Sequence, residues 1–464
     1  MERQFLDRGM ERSKTARDAE IVVLNTCTVT EGADKDARAS IRRLQRENPG
    51  CQILVTGCYA QRAPEELAAL PGVRWVVGNS HKHEVAEIAT SNSLFTPLVQ
   101  IAPAQETPTQ NAGFGSNIVI GDIFAHTELL AAPVFDSANE RTRPNLKVQD
   151  GCDNRCSFCV IPYVRGQSRS LPLERVIGEV SALVEGGYRE VVISGINLGR
   201  WGRDLGSCQP SARSSRQLAK SAKEERLSAA DPRLVDLVRA ILERTTLEKL
   251  RISSVEPMDW SDDLVELVAG SSRIAKHAHV PMQSASDAVL RRMHRKYRPW
   301  HYREKILKIR AAMPAAAIGA DVMVGFPGET DGEFEETRRM VEELPFTYLH
   351  VFTYSARPGT AAADRHDHVP VRVARERNRI LRELASHKQA AFKQSLMGTL
   401  VEAITLRSGN GEYTEALTEN YLKIQIEGRH EPNRWMLVRI ESTKGSLPVG
   451  RRYPAAEPGN ADAK

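Results

Sequence analysis

No run of about 18 uninterrupted apolar residues occurs anywhere in the 464-residue chain, so the sequence offers no membrane-spanning helix. The first twenty residues, Met1 to Glu20, are charged throughout and lack the basic end, apolar centre and small-residue cleavage site of a secretory leader. A cytosolic chain is expected. Charge of one sign is also missing: 64 Lys and Arg stand against 59 Asp and Glu, so any nucleic-acid partner is met by local patches. With 41% hydrophobic and 27% charged residues, a disordered or fibrous chain is excluded, and the length suggests about three domains.

Seven cysteines in a cytosolic protein of this size do not make a disulfide framework, because the compartment is reducing and a large core needs no staples. Metal binding or catalysis is the better default. Cys152, Cys156 and Cys159 fall within eight residues; Cys27, Cys51, Cys58 and Cys208 are scattered.

The chain divides by pattern. Residues 1–93 carry short apolar strands (Ile21 to Leu24, Ile53 to Val55, Trp75 to Val77) between helical stretches such as Lys35 to Arg46 and Pro64 to Leu70, an α/β unit. Residues 94–137 hold prolines and polar residues with little periodicity and read as a linker. From 138 to 385 six strand-like segments alternate with helices: Leu146–Gln149, Glu190–Ser194, Lys249–Ser253, His277–Gln283, Ile318–Gly325 and Tyr348–Tyr354. Such βα units predict a parallel sheet or barrel. A Ser-, Ala- and Lys/Arg-rich insertion over about 203–230 interrupts them and contains Cys208, to which no role is assigned. A basic helix, Val371 to Gln394, leads into residues 386–456, whose short alternating runs (Leu400 to Ile404, Tyr421 to Ile426, Trp435 to Ile440) predict a small β-barrel. Residues 457–464 form a tail.

The sharpest feature is Cys152-Asp-Asn-Arg-Cys156-Ser-Phe-Cys159, directly after the first strand of the βα series. β/α barrels carry their chemistry at the carboxyl ends of strands. Three closely spaced thiolates can hold three irons of a 4Fe-4S cluster and leave the fourth iron open. Structural zinc fits less well, because it takes separated ligand pairs and a fourth Cys or His. The C-x3-C-x2-C loop, with aromatic Phe158 before the last cysteine, resembles the radical S-adenosylmethionine (SAM) enzymes, whose (βα)6 partial TIM barrel matches the strand count. That resemblance implies a cluster on Cys152, Cys156 and Cys159 whose open iron binds SAM, which is then split to a 5′-deoxyadenosyl radical. It further implies SAM contacts at the strand ends: Gly195 and Asn197 in Ser194-Gly195-Ile196-Asn197, Ser253 and Glu256 after the third strand, Gln283 at the end of the fourth, and Gly325 after the fifth. Each of these, taken singly, also suits a turn or packing residue.

Two more cysteines follow short apolar strands, in Asn25-Thr-Cys27-Thr-Val-Thr30 and Val55-Thr-Gly-Cys58-Tyr-Ala-Gln61. With them the whole chain resembles the methylthiotransferases: an N-terminal α/β domain with a second 4Fe-4S cluster, a radical SAM barrel and a C-terminal TRAM β-barrel that grips RNA. The Asn-Thr-Cys-Thr-Val-Thr motif and the segment from Val148 to Gly166 resemble the branch acting on N6-threonylcarbamoyladenosine next to the anticodon. One departure stands out. The family takes a third auxiliary-cluster cysteine from a first strand before the position of Cys27, and none of the 26 preceding residues is cysteine. Met1-Glu-Arg-Gln-Phe-Leu6 resembles the helix after that strand, so a start at an internal methionine, with the first strand lacking, is expected. Cys51 is a rival ligand, but it stands at the head of the strand that ends at Cys58, seven residues or roughly 20 Å away if extended.

As the resemblance implies it, one SAM methylates sulfur on the auxiliary cluster, another generates the radical, and methylthio is delivered to adenine C2. The implied partners are the tRNA anticodon stem-loop and a reducing donor such as flavodoxin or ferredoxin, with no membrane and a monomeric state. Arg291 to Arg310 holds nine Lys/Arg against one Glu, interleaved with Tyr297, Trp300 and Tyr302, a pattern suited to phosphates and unpaired bases or equally to a solvated helix face. Two rival readings remain: an enzyme of the same kind acting on isopentenyladenosine or a ribosomal protein, and a truncated tRNA-binding protein that cannot insert sulfur.

Overall fold

The computed structural model describes residues 1–90, 117–125, 129, 142–205, 232–409, 411–443, 445 and 447–454. The insertion beyond residue 205, Cys208 and the tail lie outside the described residues. Two compact units emerge: one draws on Met1–Ala132, Gly151–Gln167 and Ser355–Asp364, the other on Pro133–Asp150, Ser168–Tyr354 and Arg365–Lys464.

The first unit is built on a parallel sheet of four strands in the order β1 (Ile21–Thr26), β2 (Gln52–Gly57), β3 (Val73–Val77), β4 (Asn117–Val119). The apolar runs of β2 and β3 are buried, and the helix Glu31–Glu47 lays Ala37, Ile41 and Leu44 on them. Thr30 caps that helix, accepting a hydrogen bond from the Ala33 amide at 3.2 Å. β4 falls in the stretch read as linker. Its three residues make too short a run for periodicity to register, and only pairing with β3 reveals them.

In the second unit β5 (Asn145–Asp150), β7 (Glu190–Gly195) and β8 (Lys249–Ile252) are parallel, with the two-residue β6 (Arg169–Ser170) antiparallel on the outer edge of β5. β9 (His277–His279), β10 (Ala317–Val324) and β11 (Tyr348–Thr353) form a second parallel set. Single bridges, Leu250 to Ile274 and Ser254 to His279, join the two sets. Six parallel strands alternating with helices make the (βα)6 partial barrel. β9 is shorter than the run His277 to Gln283 suggests: Pro281 has no amide to donate, and Gln283 takes φ +61°, leaving the extended region.

The helix Val371–Ser395 leads to β12 (Leu400–Gly409), β13 (Tyr413–Thr418), β14 (Lys423–Glu427), β15 (Trp435–Ser442) and β16 (Val449–Arg452), a closed barrel in the order β12-β13-β14-β16-β15 around Val401, Ala403, Ala416, Ile424, Ile426, Val438 and Ile440. This is the TRAM-type barrel. It is tied to the base of β7 and β8 by buried charge. Arg251 donates to Glu190 at 2.6 Å and to the Glu419 and Thr418 carbonyls at 3.0 and 3.2 Å, and Lys249 reaches Glu402 at 2.6 Å.

Candidate active site

In the first unit Cys27 and Cys58 follow the carboxyl ends of β1 and β2, whose last paired residues are Thr26 and Gly57. A side chain at 57 would meet the Thr26 carbonyl at 2.3 Å, and φ is +104°, so only glycine turns the strand there into the helix Cys58–Arg62. Cys27 is exposed and Cys58 buried. The Cys27 sulfur accepts from the Val29 amide at 3.5 Å. Cys58 receives more: Arg165 Nε donates at 3.0 Å and Asn79 Nδ2 at 3.6 Å. Cationic and amide donors aimed at sulfur are the surroundings a cluster thiolate uses.

The segment after Cys27 is held from below. Thr28 is fully buried and donates to Asp34 at 2.6 Å; Asp34 pairs with Arg62 at 2.9 Å and with Arg357. Cys51 lies away from these groups in the apolar core with Ile41, Ile53 and Leu67, and burial pushes its thiol up, the opposite of what a ligand needs.

The three-cysteine loop belongs to the same unit. Cys152, Cys156 and Cys159 are each half-buried, as is Phe158. A backbone bond from the Cys159 amide to the Cys156 carbonyl at 3.1 Å folds the loop on itself, and the Cys152 amide is held by the Gly166 carbonyl at 3.1 Å. Ser157 accepts from the Ala362 amide at 2.8 Å, fastening the loop to the segment that carries Arg357. The donors are all sulfur, the soft set that selects iron-sulfur clusters.

The remaining candidates sit at strand ends of the second unit. A side chain on Gly195 would collide with Gln149, 2.8 Å away; the Gln149 carboxamide oxygen instead accepts from the Asn197 amide at 2.7 Å. The close approach that requires glycine is therefore to Gln149. Ser253 continues β8, its amide donating to the Ile193 carbonyl at 3.1 Å. Glu256 pairs with Arg295, and burial pushes its carboxyl above the usual range against the pull of that guanidinium. Gln283 exchanges backbone bonds with β10 at 2.8 Å, while its buried Oε1 has no hydrogen-bond partner among the described residues. The Gly325 amide donates at 2.7 Å to Glu329, which Arg377 also holds at 2.7 Å.

The basic stretch from Arg291 to Arg310 corrects the sequence reading in part. Tyr297 and Tyr302 are buried, their hydroxyls donating to the Met282 and Val280 carbonyls at 2.5 and 2.7 Å, so they pack the barrel and cannot stack on bases. Of the three aromatics only Trp300 is exposed. Arg292 is committed to Glu333 and Lys308 to Asp262.

A sulfur-lined loop after the first strand of a (βα)6 partial barrel defines a radical SAM protein. Residues 146–341 match the Radical SAM superfamily and residues 1–78 the family described as Uncharacterized protein family UPF0004. The chain is 34% identical over 442 residues to the Threonylcarbamoyladenosine tRNA methylthiotransferase MtaB of Aquifex aeolicus, covering 95% of each chain. It is 35% identical to the protein of that name from Bacillus subtilis, covering 96% of this chain and 90% of the relative. To the tRNA-2-methylthio-N(6)-dimethylallyladenosine synthase of Novosphingobium aromaticivorans it is 32% identical over 86% and 81%. The chain belongs to the radical SAM methylthiotransferase family. Members hold a 4Fe-4S cluster, SAM and an additional cluster. Among the described residues no helix is long and apolar enough to cross a membrane.

Proposed function

We propose that this protein methylthiolates C2 of N6-threonylcarbamoyladenosine next to the anticodon of tRNA, in the cytoplasm. The observation that carries the reading is end-to-end similarity at 34 to 35% to two relatives bearing the threonylcarbamoyladenosine name, with coverage of 90% or more of both partners. Relatives named for dimethylallyladenosine match this chain at 28 to 32% identity.

In this reading Cys152, Cys156 and Cys159 hold the radical cluster, and Cys27 and Cys58 supply two ligands of the auxiliary one. Phe158, Gly195, Asn197, Ser253, Glu256, Gln283 and Gly325 contact SAM. When bound, these groups supply the radical and the methylthio sulfur. The chain's own residues hold them: Arg165 and Asn79 orient the Cys58 sulfur, and the Thr28, Asp34, Arg62 and Arg357 network fixes the segment bearing Cys27. Working modules of 1–93, 138–385 and 386–456, a reducing donor such as flavodoxin or ferredoxin, and a monomer complete the proposal.

The test is mass spectrometry of tRNA nucleosides from cells that lack their own methylthiotransferase and express this chain. 2-Methylthio-N6-threonylcarbamoyladenosine is expected. A methylthio group only on dimethylallyladenosine would move the protein to the other branch.

A further inference from the structure

Three neighbouring strands of the second unit each present one metal-ligating side chain to the same place. β9 contributes His279, β10 Asp321 and β11 His350, and one ligand atom from each lies within 4.8 Å of the others. Register explains the convergence. His279 pairs with Gly319 and His350 with Asp321; since strand residues two apart share a face, all three side chains rise from one face of the sheet. None of them belongs to the cluster or SAM residues assigned above.

The contact between His279 and Asp321 has the shape of two ligands rather than of a hydrogen bond. Their Nε2 and Oδ1 atoms are 3.2 Å apart. Yet the buried His279 Nε2 has no hydrogen-bond partner among the described residues, so the ring nitrogen is not directed at the carboxylate oxygen it neighbours. Two atoms each about 2.1 Å from one ion, at octahedral or tetrahedral angles, are about 3.0 to 3.4 Å apart, which matches. His350 is the exposed member of the three, and its ligand atom lies within 4.8 Å of those of His279 and Asp321. The neighbouring rings are accounted for differently: His277 Nε2 is bonded to the Tyr348 hydroxyl at 2.7 Å, and Tyr348 stands edge-on to both His279 and His350. That packing walls the group on one side.

We propose that His279, Asp321 and His350 bind one divalent first-row transition ion, separate from the iron-sulfur clusters. Two imidazoles and one carboxylate suit zinc or ferrous iron and leave coordination positions open to water or a substrate oxygen.

The test uses the full chain with its clusters reconstituted under anaerobic conditions, incubated with Zn(II) and then desalted. Zinc and iron per chain are read by mass spectrometry, and the zinc neighbours by X-ray absorption. The expected result is about one zinc per chain with nitrogen and oxygen neighbours at about 2.0 to 2.2 Å. His350→Ala and Asp321→Asn should each bind zinc at least about tenfold more weakly with iron unchanged, which also shows that clusters and fold survive. Equal zinc retention in the wild type and both variants, or zinc surrounded by sulfur at about 2.3 Å, overturns the proposal.

Discussion

Arg165 Nε lies 3.0 Å from the sulfur of Cys58 and donates to it, across 107 residues of sequence. Arg165 stands six residues after Cys159, so the loop that carries three cysteines also delivers a cation to a fourth. A charged N–H on a cluster thiolate stabilises the reduced cluster and raises its potential. Arg165→Gln is therefore expected to shift the auxiliary cluster to a more negative potential and to lower methylthiolation about 10- to 100-fold, with SAM cleavage retained. Redox titration followed by electron paramagnetic resonance reads the shift. An unchanged potential would remove Arg165 from the cluster's surroundings.

Iron content separates the cysteines by role. Reconstituted wild type should hold about eight irons, Cys58→Ala about four, and Cys156→Ala also about four but with SAM cleavage abolished. Cys51→Ala should keep the wild-type count and lose only about 1 kcal/mol of stability, as expected for a small buried side chain in an apolar core. A loss of iron in Cys51→Ala would make that residue the third auxiliary ligand.

Much of this arrangement is legible in the sequence, and the reasons for the remainder are physical. Apolar runs such as Ile53 to Val55 and Trp75 to Val77 announce strands because burial on both faces demands them. The cysteine spacing announces its chemistry because ligands on one loop are close in sequence. Arg165, Asp34 and Arg357 were missed because their partners are remote; Arg357 and Asp34 are 323 residues apart. β13 and β16 were missed because Thr and Glu in one, Gly and Arg in the other, dilute the apolar alternation. Tyr297 and Tyr302 sit among cations in sequence, and only the packing of the helix Pro299–Ala312 and the turn before it reveals that they face inward.

The ion pair between Arg251 and Glu190 has side chains 2% and 0% exposed, and without Arg251 the buried Glu190 carboxylate keeps only Arg143, at 3.4 Å. Arg251→Met should cost about 3 kcal/mol, seen as a lowered melting temperature, and Arg251→Met combined with Glu190→Leu should recover part of the loss. A single variant as stable as the wild type would contradict a structural role for the pair.

Acid sensitivity has a local source in His277. Burial holds its imidazole well below the ordinary histidine range, and Arg251 and His279 add to the effect. The unfolded chain takes up a proton near pH 6.5 while folded His277 stays neutral, so this contribution to stability is full above that pH and is lost as pH falls. The decline is about 1.4 kcal/mol per pH unit below roughly pH 6. His277→Gln should have a shallower dependence of melting temperature on pH between 6 and 5; identical slopes would show that other groups govern it.

The most direct measurement of the whole account is a side-by-side reaction of the anaerobically reconstituted chain with SAM, a reductant and two tRNAs, one bearing N6-threonylcarbamoyladenosine and one dimethylallyladenosine, with nucleosides read by mass spectrometry. The account expects 2-methylthio-N6-threonylcarbamoyladenosine from the first tRNA and no product from the second, with Cys156→Ala and Cys58→Ala both inactive. Product from the second tRNA alone, or SAM cleavage with neither base altered, would contradict it.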